Sequence, residues 1–330
     1  MTVLVLTCEQ DVTADMVVAR LRERGEPLMR FDPADLPSGG AISGEYVRGE
    51  FHGYLSAAGR MVNVESLRSV WVRRPGEPAS HAVEPSAWLS AESGQALYGL
   101  LEGITARWMN NPAAADRARL KPWQLRLAHR CGFPVPATVI TSFPQVARQF
   151  AERYRQVVVK AVSGRPVGDP PMILPTTLVP SDADFASVAA GPTLLQRYVR
   201  RRADIRLTSV GGKCFTARKV AEEGQVDGRY GDTRHTWQPV EAPAHVRRMV
   251  DVYMRLAQLA YGAFDFAEDE EGTWWFLECN QGGQFGFVEL ETEHPIANAV
   301  AAWLAEWQGS VKPHTPPHYR LRNLATGLPA

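Results

Sequence analysis

The chain has 330 residues, 45% of them hydrophobic, so it can bury a substantial core in two or three packed modules. Lysine plus arginine equals aspartate plus glutamate at 36 each, which excludes a long-range positive field that would gather nucleic acid or an anionic membrane. No stretch approaches the roughly 20 apolar residues that span a bilayer, and the four cysteines form no Cys-x-x-Cys pair. We therefore expect a cytoplasmic protein with reduced thiols and no structural zinc.

The first module, residues 1–112, is predicted to be an α/β domain. Short apolar strands at 3–6 and 69–72 alternate with an amphipathic helix at 15–24 and a longer helix at 84–109. This alternation is typical of a largely parallel sheet. The Asn-Asn-Pro sequence that follows then marks a boundary.

Two further modules are predicted at 113–192 and 193–310, followed by a poorly ordered tail at 311–330. The strands at 204–210 and 214–219 are joined by a Gly-Gly pair of the hairpin kind. The other predicted elements are helices at 114–131, 182–190, 245–261 and 296–307, strands at 157–162 and 193–199, a hairpin of 263–267 with 273–279, and a loop at 163–175.

The final hairpin carries three oxygen-bearing side chains. Side chains alternate along a strand, so Glu278 and Asn280 point to the same face. Chain reversal at the acidic turn brings Asp265 opposite residues 276–278, in a register that the sequence leaves open. Two carboxylates and an amide oxygen suit Mg²⁺ that bridges nucleotide phosphates, although a solvated hairpin face is the alternative. The apolar run Trp274–Leu277 indicates a buried strand, where unpaired carboxylates are costly, and this favours the cation.

Several positive side chains precede this hairpin. Lys160 ends the apolar run VVVK beside a glycine-bearing loop, where it can meet phosphate oxygens, and Lys121 stands on a helix. Each lysine also fits a solvated surface position. Attack on a γ-phosphate by a carboxylate requires cations that are held in place before reaction. Arg206, which shares a strand face with Asp204, is the first candidate for this role, and Arg218 adds further positive charge.

The order of these motifs resembles the ATP-grasp superfamily. Lys121, VVVK, QRYV, DIR, FDF and LECNQGGQ carry the resemblance over about residues 112–305. More narrowly, WVRRP, KPWQLRLAHRCGFPVPAT, DIRLTSVGGK and ECNQGGQFGFVE resemble the ATP-grasp ribosomal peptide maturases, also called graspetide synthetases. These enzymes install ω-ester or ω-amide links in precursor peptides. The resemblance implies an ATP-grasp fold with an N-terminal pre-ATP-grasp α/β domain.

The resemblance also implies roles for individual residues. The phosphates of ATP would be contacted by Lys121 and Lys160, and the adenine by the hinge residues Gln196, Arg197, Tyr198 and Val199. Two Mg²⁺ ions would be held by Asp265, Glu278 and Asn280. The catalytic side chains would be Arg206 and Arg218, and Asp204 would contact ribose or order Arg206. The leader of the precursor would dock on about 213–260, with the candidates Lys219, Arg229, Arg234, Arg247 and Arg248.

The sequence departs from the family pattern in two places. The loop 163–171 is poor in glycine for a phosphate cover, and NQGG stands where NPNG or NPSG is common. WVRRP at 71–75 receives no role.

The leading hypothesis is an ADP-forming ligase that activates Asp or Glu side chains of a precursor peptide as acyl phosphates. A ligase that joins separate amino acids or peptides and a non-catalytic nucleotide-binding partner subunit are the alternatives. The predicted partner is a ribosomal peptide with leader and core, without nucleic acid or membrane. Ester or amide linkage and homo-oligomerisation stay open.

Overall fold

The structure is a computed structural model that describes residues 1–84, 86–164, 168–169, 172–222, 224–228 and 236–306. The predicted tail at 311–330 and part of the predicted loop at 163–175 lie outside these residues. Within the described ranges, no helix is both long enough and apolar enough to cross a bilayer.

The N-terminal module is built on a parallel sheet of four strands in the order β2-β1-β6-β7. A three-stranded antiparallel sheet, β3-β4-β5, is attached to it. Helix α1 begins where the Asp11 side chain accepts a hydrogen bond from the backbone of Ala14. The elements are β1 (Thr2–Thr7), α1 (Val12–Glu23), β2 (Leu28–Phe31), β3 (Gly40–Val47), β4 (Glu50–Ala57), β5 (Arg60–Asn63), β6 (Leu67–Arg74), α2 (Ala87–Glu102) and β7 (Arg107–Met109).

The second group of elements forms an antiparallel sheet in the order β10-β9-β11-β8. The predicted helix at 182–190 is only a 3₁₀ turn over Ala186–Ala190. The elements are α3 (Pro112–Ala118), α4 (Lys121–Arg130), β8 (Thr138–Thr141), α5 (Pro144–Tyr154), β9 (Val157–Lys160), β10 (Thr177–Leu178) and β11 (Thr193–Arg197).

The third group forms an antiparallel sheet of five strands in the order β14-β13-β12-β15-β16. The predicted hairpin around Gly211 and Gly212 is confirmed, and it joins β12 to β13. The elements are β12 (Ala203–Val210), β13 (Lys213–Val220), β14 (Gln238–Pro239), α6 (Ala244–Ala257), β15 (Tyr261–Glu268), β16 (Trp274–Asn280), α7 (Gly286–Thr292) and α8 (Ile296–Ala305).

Several predicted boundaries are wrong, among them that of the helix expected at 245–261, which ends at Ala257. The helix expected at 84–109 ends at Glu102, and Arg107–Met109 instead extends the parallel sheet beside β6. The helix expected at 114–131 is divided in two, because Leu120 takes an extended conformation. Strand β11, assigned to the third module, pairs with β8 and β9 and so belongs to the second sheet.

The five-stranded sheet has two faces with different environments. Helix α6 covers one face with Val250 and Tyr253, which pack against Ile205 and Phe264 in a core that also contains helices α3 and α4. On the other face, a second core joins this sheet to α7, α8 and the N-terminal sheet, and Ala263 is buried within it. The N-terminal module is therefore packed directly against the third sheet.

Candidate nucleotide and metal site

The three oxygen-bearing side chains of the last hairpin come together in the structure. Asp265 lies directly opposite Glu278, and Ala263 lies opposite Asn280. The Asn280 amide donates to Asp265 Oδ2 at 3.2 Å and to Glu278 Oε1 at 3.1 Å. The geometry predicted by strand alternation is thus found, with Asp265 opposite one of the three residues that the sequence allowed.

A β-bulge sets the register of this hairpin. The pairing shifts between Asp265 and Phe266, so that Leu277 is the extra residue in β16. As a consequence, Phe276 and Cys279 are both fully buried although they are three residues apart. The bulge turns Glu278 away from the core, toward the face that carries Asp265.

Arg206 completes the cluster from the neighbouring strand β12. Its cross-strand partner is Asp265, and its Nη1 donates to both carboxylate oxygens of Asp265 at 2.7 and 2.8 Å. Its Nη2 donates to the Gln284 carbonyl at 2.8 Å. The guanidinium is therefore held in place by a carboxylate and by the turn that follows β16.

The pKa values of Asp265 and Glu278 are shifted in opposite directions. Burial and the nearby Glu278 charge raise the pKa of Asp265, even though Arg206 acts in the opposite direction. Burial also acts to raise the pKa of Glu278, but Lys121, the Asn280 amide and Lys160 outweigh it and lower that pKa. Glu278 is thus the more acidic of the pair, and it ionises more readily than Asp265.

Both predicted phosphate-binding lysines lie at this cluster. Lys121, at the start of α4, has its Nζ 3.4 Å from Glu278 Oε2. Lys160, at the end of β9, donates to Gln196 Oε1 at 2.8 Å, and its charge reaches Glu278. Gln196 in turn donates to the Thr138 hydroxyl at 2.9 Å. Helix α4 and strand β9 therefore each contribute one lysine to the same face of the last hairpin.

The predicted adenine hinge begins at Gln196 and continues to Val199. The Arg197 guanidinium lies 4.5 Å from the ring centroid of Trp275, which is on the same hairpin as Glu278. The Tyr198 backbone N–H donates to the Gln156 carbonyl at 2.9 Å, and Val199 is half-buried. The hinge segment is thus adjacent to the cluster, and its role in binding adenine stays a prediction.

The second predicted catalytic arginine does not join the cluster. Arg218 pairs with Ile205 across the strands, so it points to the sheet face opposite that of Arg206. There its Nε donates to Glu268 Oε2 at 2.7 Å. The prediction that Arg218 acts together with Arg206 is therefore wrong, because the two side chains lie on opposite faces of the sheet.

Asp204 pairs with Arg201, whereas ordering of Arg206 was one of the two roles predicted for it. It shares the strand face of Arg206, but its Oδ1 accepts a hydrogen bond from Arg201 Nε at 2.5 Å. Lys219 lies opposite Asp204 across the strands and thus on the same face, unlike its neighbour Arg218. Contact of Asp204 with ribose stays a prediction.

The predicted leader-binding arginines lie on the side of the sheet that α6 covers. Arg247 and Arg248 are exposed and line an open cavity of about 550 Å³, together with Lys213, Cys214 and Asp251. Arg229 and Arg234 lie outside the described residues. The described candidates are therefore divided, with Lys219 on one face of the sheet and the α6 arginines on the other.

Sequence reasoning missed the buried side chains that hold the turn Gln281–Gln284. The four consecutive carbonyls of this turn accept hydrogen bonds from side chains of four different strands or segments. The donors, in order, are Asn110 Nδ2, Arg73 Nη1, the Tyr261 hydroxyl and Arg206 Nη2. The WVRRP motif and the boundary asparagine were visible in the sequence, but contacts over such distances along the chain leave no local pattern.

The chemistry of the donor set fits Mg²⁺. Asp265, Glu278 and Asn280 provide carboxylate and amide oxygens on one patch, and a hard cation that keeps several waters needs no more protein ligands than this. Within the described residues, no group of three or more His, Cys, Asp or Glu side chains is placed to hold a metal. The candidate set is consistent with that finding, because its third member is an amide.

Comparison with known proteins places this arrangement in a class. Residues 2–116 match the family described as the MvdD pre-ATP grasp domain. The crystal structure of macrocyclase MdnC from Microcystis aeruginosa, bound to precursor peptide MdnA, superposes with a TM-score of 0.82 and 25% identity over 92% of this chain and 99% of MdnC. No curated protein sequence matches the chain.

Two further structures share the architecture. Macrocyclase MdnB from the same organism has a TM-score of 0.78 and 25% identity over 92% of this chain and 99% of its own. A RiPP-associated ATP-grasp ligase of Chryseobacterium gregarium, in complex with ADP and a leader and core peptide, has a TM-score of 0.79 and 23% identity over 92% and 96%. This chain therefore has the ATP-grasp fold. Its N-terminal domain is of the MvdD pre-ATP-grasp type, and the predicted resemblance to the ribosomal peptide maturases is confirmed.

Proposed function

We propose that this chain is an ADP-forming ligase that activates Asp or Glu side chains of a ribosomal precursor peptide and closes ω-ester or ω-amide links within that peptide. The observation that carries the proposal is the convergence of Asp265, Glu278 and Asn280 with Arg206 and two lysines on one sheet face. The likeness to MdnC and MdnB, which are described as macrocyclases, supports a peptide substrate.

Mg²⁺ would be held by Asp265, Glu278 and Asn280, and we include a second ion in the proposal. When bound there, Mg²⁺ supplies charge compensation to the triphosphate. A structural neighbour, the ATP-grasp ligase PsnB, was solved with a minimal precursor, Mg and ADP. In this proposal, Lys121 and Lys160 pair with phosphate oxygens, and the segment 196–199 receives adenine. The contact of Lys121 with Glu278 and the hydrogen bond of Lys160 to Gln196 support these roles.

In the first step, a carboxylate oxygen of the peptide attacks the γ-phosphorus of ATP, and the bond from that phosphorus to the bridging oxygen of ADP breaks. Arg206 stabilises the negative oxygens that gather in this step, because Asp265 and the Gln284 carbonyl fix its orientation beforehand. In the second step, a hydroxyl or amine of the same peptide attacks the acyl carbon, loses its proton and displaces phosphate. Each link therefore removes one water from the peptide.

The leader of the precursor is assigned to the cavity beside α6. Lys213, Arg247 and Arg248 outnumber Asp251 there, so the cavity suits an acidic segment. Because α6 covers the sheet face opposite Arg206, leader binding and chemistry occupy different surfaces. Charge reversal in Arg248→Glu is expected to raise KM for the precursor with little change in kcat. The same reversal in Arg255→Glu, at the other end of α6, is the control.

Mass spectrometry of the precursor after incubation with enzyme, ATP and Mg²⁺ tests the chemistry. We expect a loss of one water per link, with ADP release that requires the peptide and is abolished by Glu278→Gln. Glu271→Gln makes the same change at an exposed position of the same hairpin and should retain activity. Added mass would instead indicate a ligase that joins separate molecules. An absence of ADP release would indicate a non-catalytic nucleotide-binding subunit.

A further inference from the structure

Arg73, in the WVRRP motif, is a buried charge in the N-terminal module. Only 6% of the residue is exposed. Its Nε lies 3.4 Å from Asp11 Oδ2, and only 2% of either side chain is accessible. Asp11 also accepts a hydrogen bond from the Thr7 hydroxyl at 2.8 Å. Within its own module, Arg73 is therefore held by a buried ion pair with Asp11.

Burial of this ion pair is poorly explained by stability alone. Burial lowers the pKa of Arg73, and the Asp11 charge only partly compensates. Among the described residues, Arg73 Nε and Nη2 have no hydrogen-bond partner. Well-packed apolar side chains often replace a buried pair of this kind without loss of stability. A guanidinium in this position calls for a function that an apolar side chain does not provide.

The third guanidinium nitrogen of Arg73, Nη1, contacts the turn that follows Asn280. Arg73 Nη1 donates to the Gly282 carbonyl, 209 residues further along the chain. Asn110, the residue just after β7, makes a second bridge: its Nδ2 donates to the Gln281 carbonyl at 2.8 Å, and its Oδ1 accepts from the Tyr261 N–H at 2.9 Å. The N-terminal module thus holds two consecutive carbonyls of the turn that follows Asn280.

This turn lies against the side chains of the site. A Cβ atom at Gly283 would lie 2.8 Å from Arg206 Nη2 and 3.1 Å from Asn280 Cβ. Because Gly282 and Gly283 are adjacent, the backbone of the turn has little intrinsic preference for one conformation. The conformation of the turn therefore depends on the side chains that bind its carbonyl groups. A displacement of the turn would therefore move both Asn280 and Arg206.

We propose that Arg73, oriented by Asp11, is a positioning residue through which the pre-ATP-grasp domain fixes the turn Gln281–Gln284 and hence the geometry of the Mg²⁺–nucleotide site. The inference rests on the proposed function in that the site is taken to bind Mg²⁺ and nucleotide. Removal of a side chain that orients metal ligands without touching the metal typically lowers metal affinity or activity by about 10- to 100-fold.

The test compares Arg73→Met with Arg74→Met. Arg74 is exposed on the same strand, so the control makes the same chemical change one residue away. We expect Arg73→Met to weaken Mg²⁺-dependent ADP binding, measured by calorimetry, and to raise the half-saturating Mg²⁺ concentration by about tenfold or more. Arg74→Met should match the wild type. Equal Mg²⁺–ADP affinity in all three proteins would overturn the proposal.

A second variant covers the case in which Arg73→Met does not fold. Arg73→Lys keeps a positive charge beside Asp11, but one ammonium group does not reproduce the two-sided reach to Asp11 and Gly282. We expect it to fold, with Mg²⁺–ADP affinity reduced several-fold. Loss of thermal stability with unchanged Mg²⁺–ADP affinity would show that Arg73 is merely structural.

The binding assay separates this inference from the proposed function. A wild type that binds Mg²⁺–ADP but leaves the precursor mass unchanged would refute peptide macrocyclisation, while the Arg73 comparison would still decide the positioning role. A wild type that binds no Mg²⁺–ADP would refute both.

Discussion

Replacement of Gly283 by alanine is expected to disturb the site more than any other small change in the turn. The new Cβ would lie 2.7 Å from the Ala263 Cβ and 2.8 Å from Arg206 Nη2. Carbon atoms pack best at about 3.5–4.0 Å, so the overlap approaches 1 Å. Ala263 is fully buried in β15, which is paired on both sides, and cannot retreat. The turn must therefore move.

Overpacking of this kind costs typically about 1–3 kcal/mol of unfolding free energy. Gly282→Ala is the matched control, because the nearest atom to its added Cβ is the Arg73 carbonyl oxygen at an ordinary 3.6 Å. Neither glycine has a positive φ, so backbone strain does not separate the two variants. The control should change the unfolding free energy by less than about 1 kcal/mol.

Urea unfolding followed by tryptophan fluorescence measures the first effect, and calorimetric titration of Mg²⁺ and ADP measures the second. We expect Gly283→Ala to lower both stability and affinity, and Gly282→Ala to retain both. Two variants of equal stability, or a Gly283→Ala protein with wild-type affinity, would refute the packing argument.

Three other predictions concern the rest of the molecule. Burial opposes ionisation of Glu268, but Arg202 and Arg218 outweigh it and lower the pKa of Glu268. Glu268→Gln should therefore lower the free energy of unfolding by about 1–2 kcal/mol at pH 7. In urea titrations, this difference between the variant and the wild type should disappear as the pH falls below 4.5. By the same assay, Phe133→Ala should lower the free energy of unfolding by about 3–5 kcal/mol, because the Phe133 ring packs against three buried phenylalanines. Burial raises the pKa of Cys214 to about 11, so mass-spectrometric mapping should show its alkylation at pH 7.5 to be more than about tenfold slower than that of free cysteine.

The sequence predicted the side chains of the site better than their register. Strand alternation was enough to place Glu278 and Asn280 on one face. The bulge at Leu277 was not predictable, because its sequence is as apolar as that of a regular strand. Arg218 was grouped with Arg206 by charge, whereas alternation along β13 places it on the opposite face. Charge alone therefore did not identify which arginine reaches the site.

Short or exposed elements of the fold were predicted least well. Strand β7 is three residues long and lies close after a helix, so its sequence reads as the end of that helix. The sheet β3-β4-β5 is mostly solvated, and its strands lack the apolar runs that marked β1 and β6. The contact of Arg73 with Gly282 spans 209 residues and follows only from the packing of whole modules.

Helix α8 has a consequence for how the protein is made. Its last turn caps the N-terminal sheet: the Ser69 hydroxyl donates to the Leu304 carbonyl at 2.8 Å, and Arg107 lies over the Trp303 ring at 3.9 Å. On the ribosome, Ser69 appears 235 residues before Leu304. Helix α1 covers part of this sheet face, but the rest of the face stays uncovered until α8 has been synthesised. If the chain were cut between the N-terminal sheet and α8, the two fragments would therefore form the native fold only when they are mixed.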